Sequence, residues 1–136
     1  MVEQIAITAD PDVTPSTVPA VRARTAGGLE GEYHDDVTLI AVEALEGLAA
    51  DTGIELSHET SRRNVLTRGV DVNALVGRRF AVGEVECEGV ELAEPCRRLA
   101  RMTQDGVLRG LVHRGGLRAL VRKGGEIRVG DAVRAL

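Results

Sequence analysis

The sequence predicts a mainly β domain with one longer helix and one or two short ones. Three observations carry that expectation. Short segments of alternating apolar and polar residues recur at about 8–12-residue spacing, bounded by glycine-rich turns. Glycine makes up 16 of the 136 residues, which suits many tight turns. A sustained helical spacing of apolar residues shows in one stretch, at Val42, Leu45 and Leu48. About six to eight short strands with one real helix argue a closed β-barrel, the architecture that leaves no strand edge unpaired. Neither an internal repeat nor a linker divides the chain, so residues 1–136 are expected to form a single domain.

Taken in order, 3–8 places Ile5 and Ile7 among small or polar residues and reads as a strand. The proline-rich 9–19 reads as loop, and 20–25 as a second short strand. Glycines prevent a regular element over 26–36, which brings Glu32, His34, Asp35 and Asp36 together in sequence. A β-prone 37–40 runs into the helix of 41–53, closed by Gly53. Strands follow at 63–67, 78–83 and 84–92, with turn and loop at 68–77. The alternation slips by one at Gly89, where a bulge or bend would restore the inward face. Pro95 opens a short helix carrying Leu99 and Met102, and 107–113 suits a short helix or strand. Residues 116–133 read as a hairpin turning at Lys123–Gly125, with Ile127 and Val129 on the return strand.

Composition narrows function. One Phe, one Tyr and no Trp leave nothing to stack single-stranded bases, and the net charge is −4, so nucleic-acid binding is not expected. Charge is uneven: residues 1–60 hold 12 acids and 2 arginines, whereas 61–136 hold 9 acids and 15 bases, of which Lys123 is the single lysine. Arginine's planar fork suits phosphate or carboxylate; a solvated arginine-rich surface is the plainer reading. No apolar run approaches the ~20 residues of a membrane span, and no leader is visible. A cytoplasmic protein with reduced thiols is expected.

Two cysteines make no disulfide framework, and no zinc spacing is present. Cys87 sits mid-strand in an alternating pattern, the setting of a packing residue. Cys96 follows Pro95, in the first turn of the expected helix, with Arg97, Arg98 and Arg101 close by. Free N–H groups, the helix dipole and those cations favour a thiolate there; a small buried hydrophobe beside Leu99 is the alternative. Two further clusters suit an anion. Arg62, Arg63 and Asn64 open a strand, and Arg114 precedes Gly115 and Gly116, whose backbone can approach a ligand closely.

The order of "GLEGEYH", "VTLI…EALE", "RRNVLTRGVDVNALVGRRFAVG", "ELAEPC" and "HRGGLRALVRKGGEIRVGDAV" resembles the MOSC domain, named for the C-terminus of molybdenum cofactor sulfurase. The likeness spans about Val2 to Val133, as in a small stand-alone member. It implies a barrel like that of the pyruvate kinase barrel domain and a role with molybdopterin-type cofactor or activated sulfur. The family's recurring cysteine falls on Cys96, as sulfur carrier or molybdenum ligand. Its "RN" element falls on Arg63 and Asn64, and its "RGG" element on Arg114, Gly115 and Gly116. A thiolate suits both chemistries, and Arg62, Arg63 and Arg114 are candidates to hold the cofactor's phosphate. Two positions depart from the pattern: Ala93 replaces the first cysteine of "CEPC", and Tyr33 stands where relatives carry arginine in "EGDR". Three functions follow as expectations: a molybdopterin-binding or sulfur-carrier domain acting through Cys96; a molybdenum-dependent component reducing N-hydroxylated compounds with a partner reductase; or a non-catalytic phosphate- or partner-binding barrel. A sulfur-donor protein is the expected partner of the first.

Overall fold

Why residues 37–40 hold Val37, Leu39 and Ile40 without strict alternation is answered by what covers them. The computed structural model describes residues 1–93 and 114–136. In it, β5 (Val37–Ala41) is covered on both faces. Val37 and Leu39 enter the main core, while Ile40 joins Leu45 and Leu48 of helix α1 (Val42–Thr52) and Leu66 of β6 (Val65–Thr67). A strand covered on both faces has no use for alternation. β5 and β6 run parallel, pairing Leu39 with Val65 and Ile40 with Leu66. Parallel neighbours need a crossover. Here it is α1 followed by the short α2 (His58–Ser61), and Gly53 ends α1 in the left-handed conformation its sequence position suggested.

The remaining strands are antiparallel. They are β1 (Val2–Ile7), β2 (Ser16–Val18), β3 (Ala20–Arg24), β4 (Gly28–Leu29), β7 (Arg79–Val82), β8 (Val85–Leu92), β9 (Leu117–Lys123), β10 (Gly125–Arg128) and β11 (Val133–Ala135). Eight strands form one sheet in the order β11-β7-β8-β9-β5-β6-β1-β2, and three form another, β10-β3-β4. The domain is therefore mainly β, as expected. Both described sheets are open in their pairing, and they enclose a shared core of aliphatic residues around Phe80. That one aromatic ring is fully buried, worth roughly 2–3 kcal/mol by transfer.

The expected hairpin over 116–133 is not formed. β9 pairs with β8 and β5, while β10 pairs with β3 in the other sheet. The two glycines make a corner between sheets instead of a turn within one. A Cβ on Gly124 would lie 2.7 Å from the Ala23 carbonyl oxygen, so only glycine lets the chain pass that close. The slip at Gly89 is a bulge: Gly89 opposes Ala119 but Glu91 opposes Arg118, leaving Val90 outward and returning Leu92 opposite Leu117. Strands β2 and β11, within or beyond segments expected as loop and turn, have three residues each. A 3₁₀ turn (Val72–Leu75) occupies the expected loop after β6.

Candidate functional site

The starts of β5 and β6 lie side by side, and one buried amide joins them to the first loop. Asn64, 1% exposed, accepts at Oδ1 from the Thr38 N–H (3.1 Å) and hydroxyl (3.2 Å). Its Nδ2 donates to the Ala6 carbonyl (3.1 Å) and to Glu32 Oε1 (3.0 Å). All four hydrogen-bonding positions of the amide are used, which is what burial of such a group demands.

Glu32 begins a charged chain. Its Oε1 also accepts from the Thr8 N–H at 3.0 Å, and its Oε2 lies 3.0 Å from His34 Nε2. His34 Nδ1 sits 2.7 Å from Asp36 Oδ1 and 2.9 Å from the Asp36 carbonyl oxygen. Asp36 Oδ2 then meets Arg118 of β9 at 3.0 Å, and Arg118 Nε donates to Glu91 of β8 at 3.1 Å. Burial alone would lower the His34 pKa, but the hydrogen bond to Asp36 and the charges of Glu32 and Asp36 outweigh it and raise the value above 6.5. The Asp36 carboxyl is held below its ordinary range, chiefly by its hydrogen bond with His34, with help from Arg118. The sequence showed these acids and the histidine as neighbours but gave them no role.

The arginines go to different places. Arg62 caps α2 in the left-handed conformation (φ 64°), and its guanidinium donates to the Val13 and Pro11 carbonyls at 3.0 and 2.8 Å. It thereby pins the 9–15 loop. Arg63 turns the other way, donating from Nε to the Gly115 carbonyl (2.6 Å) and from an NH2 group to the Ala93 carbonyl (2.9 Å). The Ala93 N–H donates in turn to Gly116 O at 2.8 Å. Ala93 and Arg114 are the described residues that adjoin 94–113, so Arg63, on Ala93 and Gly115, bridges the two described chain ends, which form a neck. Charge-assisted bonds of this kind contribute about 1.5–3 kcal/mol each. Cys96, with the expected helix around it, lies outside the described residues.

Arg114 lies over Gly47 of α1 and pairs with Asp51 at 2.6 Å. Both partners are well exposed, so that pair contributes little to stability. Arg114 also lines an open cavity of about 380 Å³ whose other walls include Ala41, Ala44, Val70 and Val72 together with the acidic Glu43 and Asp71. Gly116 serves packing: a Cβ there would lie 2.0 Å from the Leu39 carbonyl oxygen. Thus Arg63, Gly115 and Gly116 meet Ala93 at the neck, Asn64 is turned into the core, Arg114 stands beside the cavity, and Arg62 faces the opposite loop.

Two further groups frame the site. Cys87 is fully buried, and burial pushes its thiol up to about 12, so it stays protonated and unreactive at neutral pH. His58 is 4% exposed, hydrogen-bonded at Nδ1 to Gln4 (2.8 Å) and unpartnered at Nε2. Burial lowers its pKa and favours the neutral ring. Among the described residues, no cluster of three His, Cys, Asp or Glu side chains has a geometry that holds a metal ion, and no helix is long and apolar enough to cross a membrane.

Comparison with known proteins shows the fold and the family. The fold is similar to the YuaD protein of Bacillus subtilis, with a TM-score of 0.87 at 16% identity, covering 98% of this chain and 93% of that one. It is similar to YiiM of Geobacillus stearothermophilus (TM-score 0.81, 15% identity, 100% and 74% coverage) and of Escherichia coli (0.74, 16%, 99% and 69%). No curated protein sequence matches significantly. The MOSC domain model matches residues 26–134, most of the chain, and the protein therefore belongs to the MOSC domain family.

Proposed function

We propose that this protein binds a molybdopterin-type cofactor or carries sulfur, with Cys96 as the thiolate that ligates the metal or bears the persulfide. The neck carries the reading. Arg63 and the Ala93–Gly116 bond hold together the strand ends that flank the cysteine-bearing segment. Cys96 is three residues beyond Ala93, which covalent geometry limits to ~11 Å between Cα atoms. Cys87, the other thiol, is buried and protonated, so thiolate chemistry falls to Cys96.

Molybdopterin carries its own dithiolene ligands to the metal, so the protein need add no more than one soft ligand, the part we assign to the Cys96 thiolate. Arg114, which pairs with the exposed Asp51 and lines the open cavity together with the acidic Glu43 and Asp71, is the cation we assign to the cofactor's phosphate. Arg63 holds the strand ends at Ala93 and Gly115, while the Arg62 guanidinium is occupied by main-chain carbonyls of the 9–15 loop. When bound, the cofactor would supply oxygen- or sulfur-transfer redox chemistry.

The test is composition of the purified protein. Material from a host that makes molybdenum cofactor should contain molybdenum with pterin, or the mass of one added sulfur atom located on Cys96. Cys96→Ala should contain neither, and Arg114→Ala should weaken cofactor retention by about 10-fold or more. Equal retention by Cys96→Ala would instead favour a barrel that binds phosphate without thiol chemistry. Turnover of an N-hydroxylated base with an added reductase, lost in Cys96→Ala, would extend the reading to a reductase component.

A further inference from the structure

We propose that His34 is a proton-operated latch that fastens the loop 30–36 to the strand ends on both sides of the neck. The claim is independent of which cofactor binds. It rests on hydrogen-bond arithmetic. Every group close to the two ring nitrogens is an acceptor: Glu32 Oε2 at Nε2, and Asp36 Oδ1 with the Asp36 carbonyl at Nδ1. A neutral imidazole has one N–H and one lone pair, so it would set a lone pair against a carboxylate. The imidazolium satisfies both sides.

The groups facing the ring come from several elements. Glu32, Tyr33 and Asp36 are on the loop itself, with the Tyr33 ring edge-on at 5.0 Å. Arg118 of β9 reaches Asp36 and bonds Glu91 of β8, two residues before Ala93. Asn64 of the β6 start reaches Glu32 and adjoins Arg63. The latch therefore pulls on both supports of the neck. Its sign follows from the raised folded pKa: the stabilisation is complete below the ordinary 6.5 and is lost as pH rises through the higher folded value.

Two main-chain amides report directly on loop docking. The Tyr33 N–H donates to the Thr8 carbonyl (2.9 Å), and the Thr8 N–H donates to Glu32 Oε1 (3.0 Å). In the full chain, NMR titration should place the His34 midpoint above 6.5 and that of His58 below it. After correction for intrinsic exchange, protection of the Thr8 and Tyr33 amides should fall about 10-fold across the His34 titration. In His34→Gln, protection should be low and independent of pH, and Asp36→Asn should lower the His34 midpoint. A wild-type midpoint at or below 6.5, or protection that stays flat while His34 titrates, overturns the latch without any variant needing to fold.

Discussion

Gly116→Ala is expected to destabilise the protein by at least ~3 kcal/mol, a large share of the ~5–15 kcal/mol that holds a domain together. Gly116 follows the neck, at φ 105°, where its missing side chain faces β5. An added methyl carbon would sit 2.0 Å from the Leu39 carbonyl oxygen and 3.0 Å from its carbon. Backbone in a paired strand does not yield, so the sheet must separate or the neck must shift. Gly53→Ala supplies the comparison. That glycine is also left-handed (φ 75°), but nothing lies within 4 Å of the added carbon, so only the conformational cost of about 1–2 kcal/mol remains. Urea unfolding of the two variants should separate these costs. Equal midpoints would show that Gly116 is not wedged against β5. The same experiment bears on the "RGG" element, because ligand loss in Gly116→Ala would come through the fold.

Asn64→Asp is expected to cost roughly 3–5 kcal/mol at neutral pH although it changes one atom. The substitution places an oxygen where Nδ2 now donates to Ala6 O and Glu32 Oε1, at 3.1 and 3.0 Å. Two acceptors then face a third, and the new carboxylate is buried beside an existing one. Burial and that neighbour would raise the new group's folded pKa above the usual ~3.9. The charge penalty is therefore absent below ~3.9, grows as pH rises from there to the folded value and is complete above it, leaving in acid only the cost of one lost donor. Asn64→Ala loses both Nδ2 bonds and the two that Oδ1 accepts from Thr38, without adding charge. Above neutral pH the aspartate variant should unfold at lower urea than the alanine variant, with the gap closing in acid. An aspartate variant within ~1 kcal/mol of wild type at pH 7 would contradict the buried-amide account.

Elements long enough to show their period were legible. β1, β3 and α1 announced themselves, as did the alternation of β8 and the bulge at Gly89. β2, β11 and the four-residue α2 were not, because three or four residues hold fewer than two repeats of a strand's or a helix's period. The failed hairpin has another cause. Gly124 and Gly125 have the same turn chemistry whether the next strand folds back or crosses to another sheet, and only the partner strand β3, a hundred residues earlier in order of magnitude, decides.

The site divides along similar lines. Arg63, Asn64, Gly115 and Gly116 were marked by type and adjacency, and of these Arg63 reaches Gly115 at the neck. Their adjacency hid their difference, since Asn64 points into the core and Arg63 bridges Ala93 and Gly115. Glu32, His34 and Asp36 were visible as a local cluster. The partner that makes the cluster a link to the neck is Arg118, 82 residues from Asp36, and no local pattern predicts that pair.

The central claim is that one thiol is ionised and reachable while the other is not. Brief alkylation of the native protein over a range of pH, with the label located by peptide mass spectrometry, tests it most directly. The account predicts label on Cys96 with an apparent pKa below the ordinary ~8.5 and none on the buried Cys87 until the protein unfolds. Native labelling of Cys87, or a Cys96 that stays unlabelled up to the pH at which the fold is lost, would contradict it.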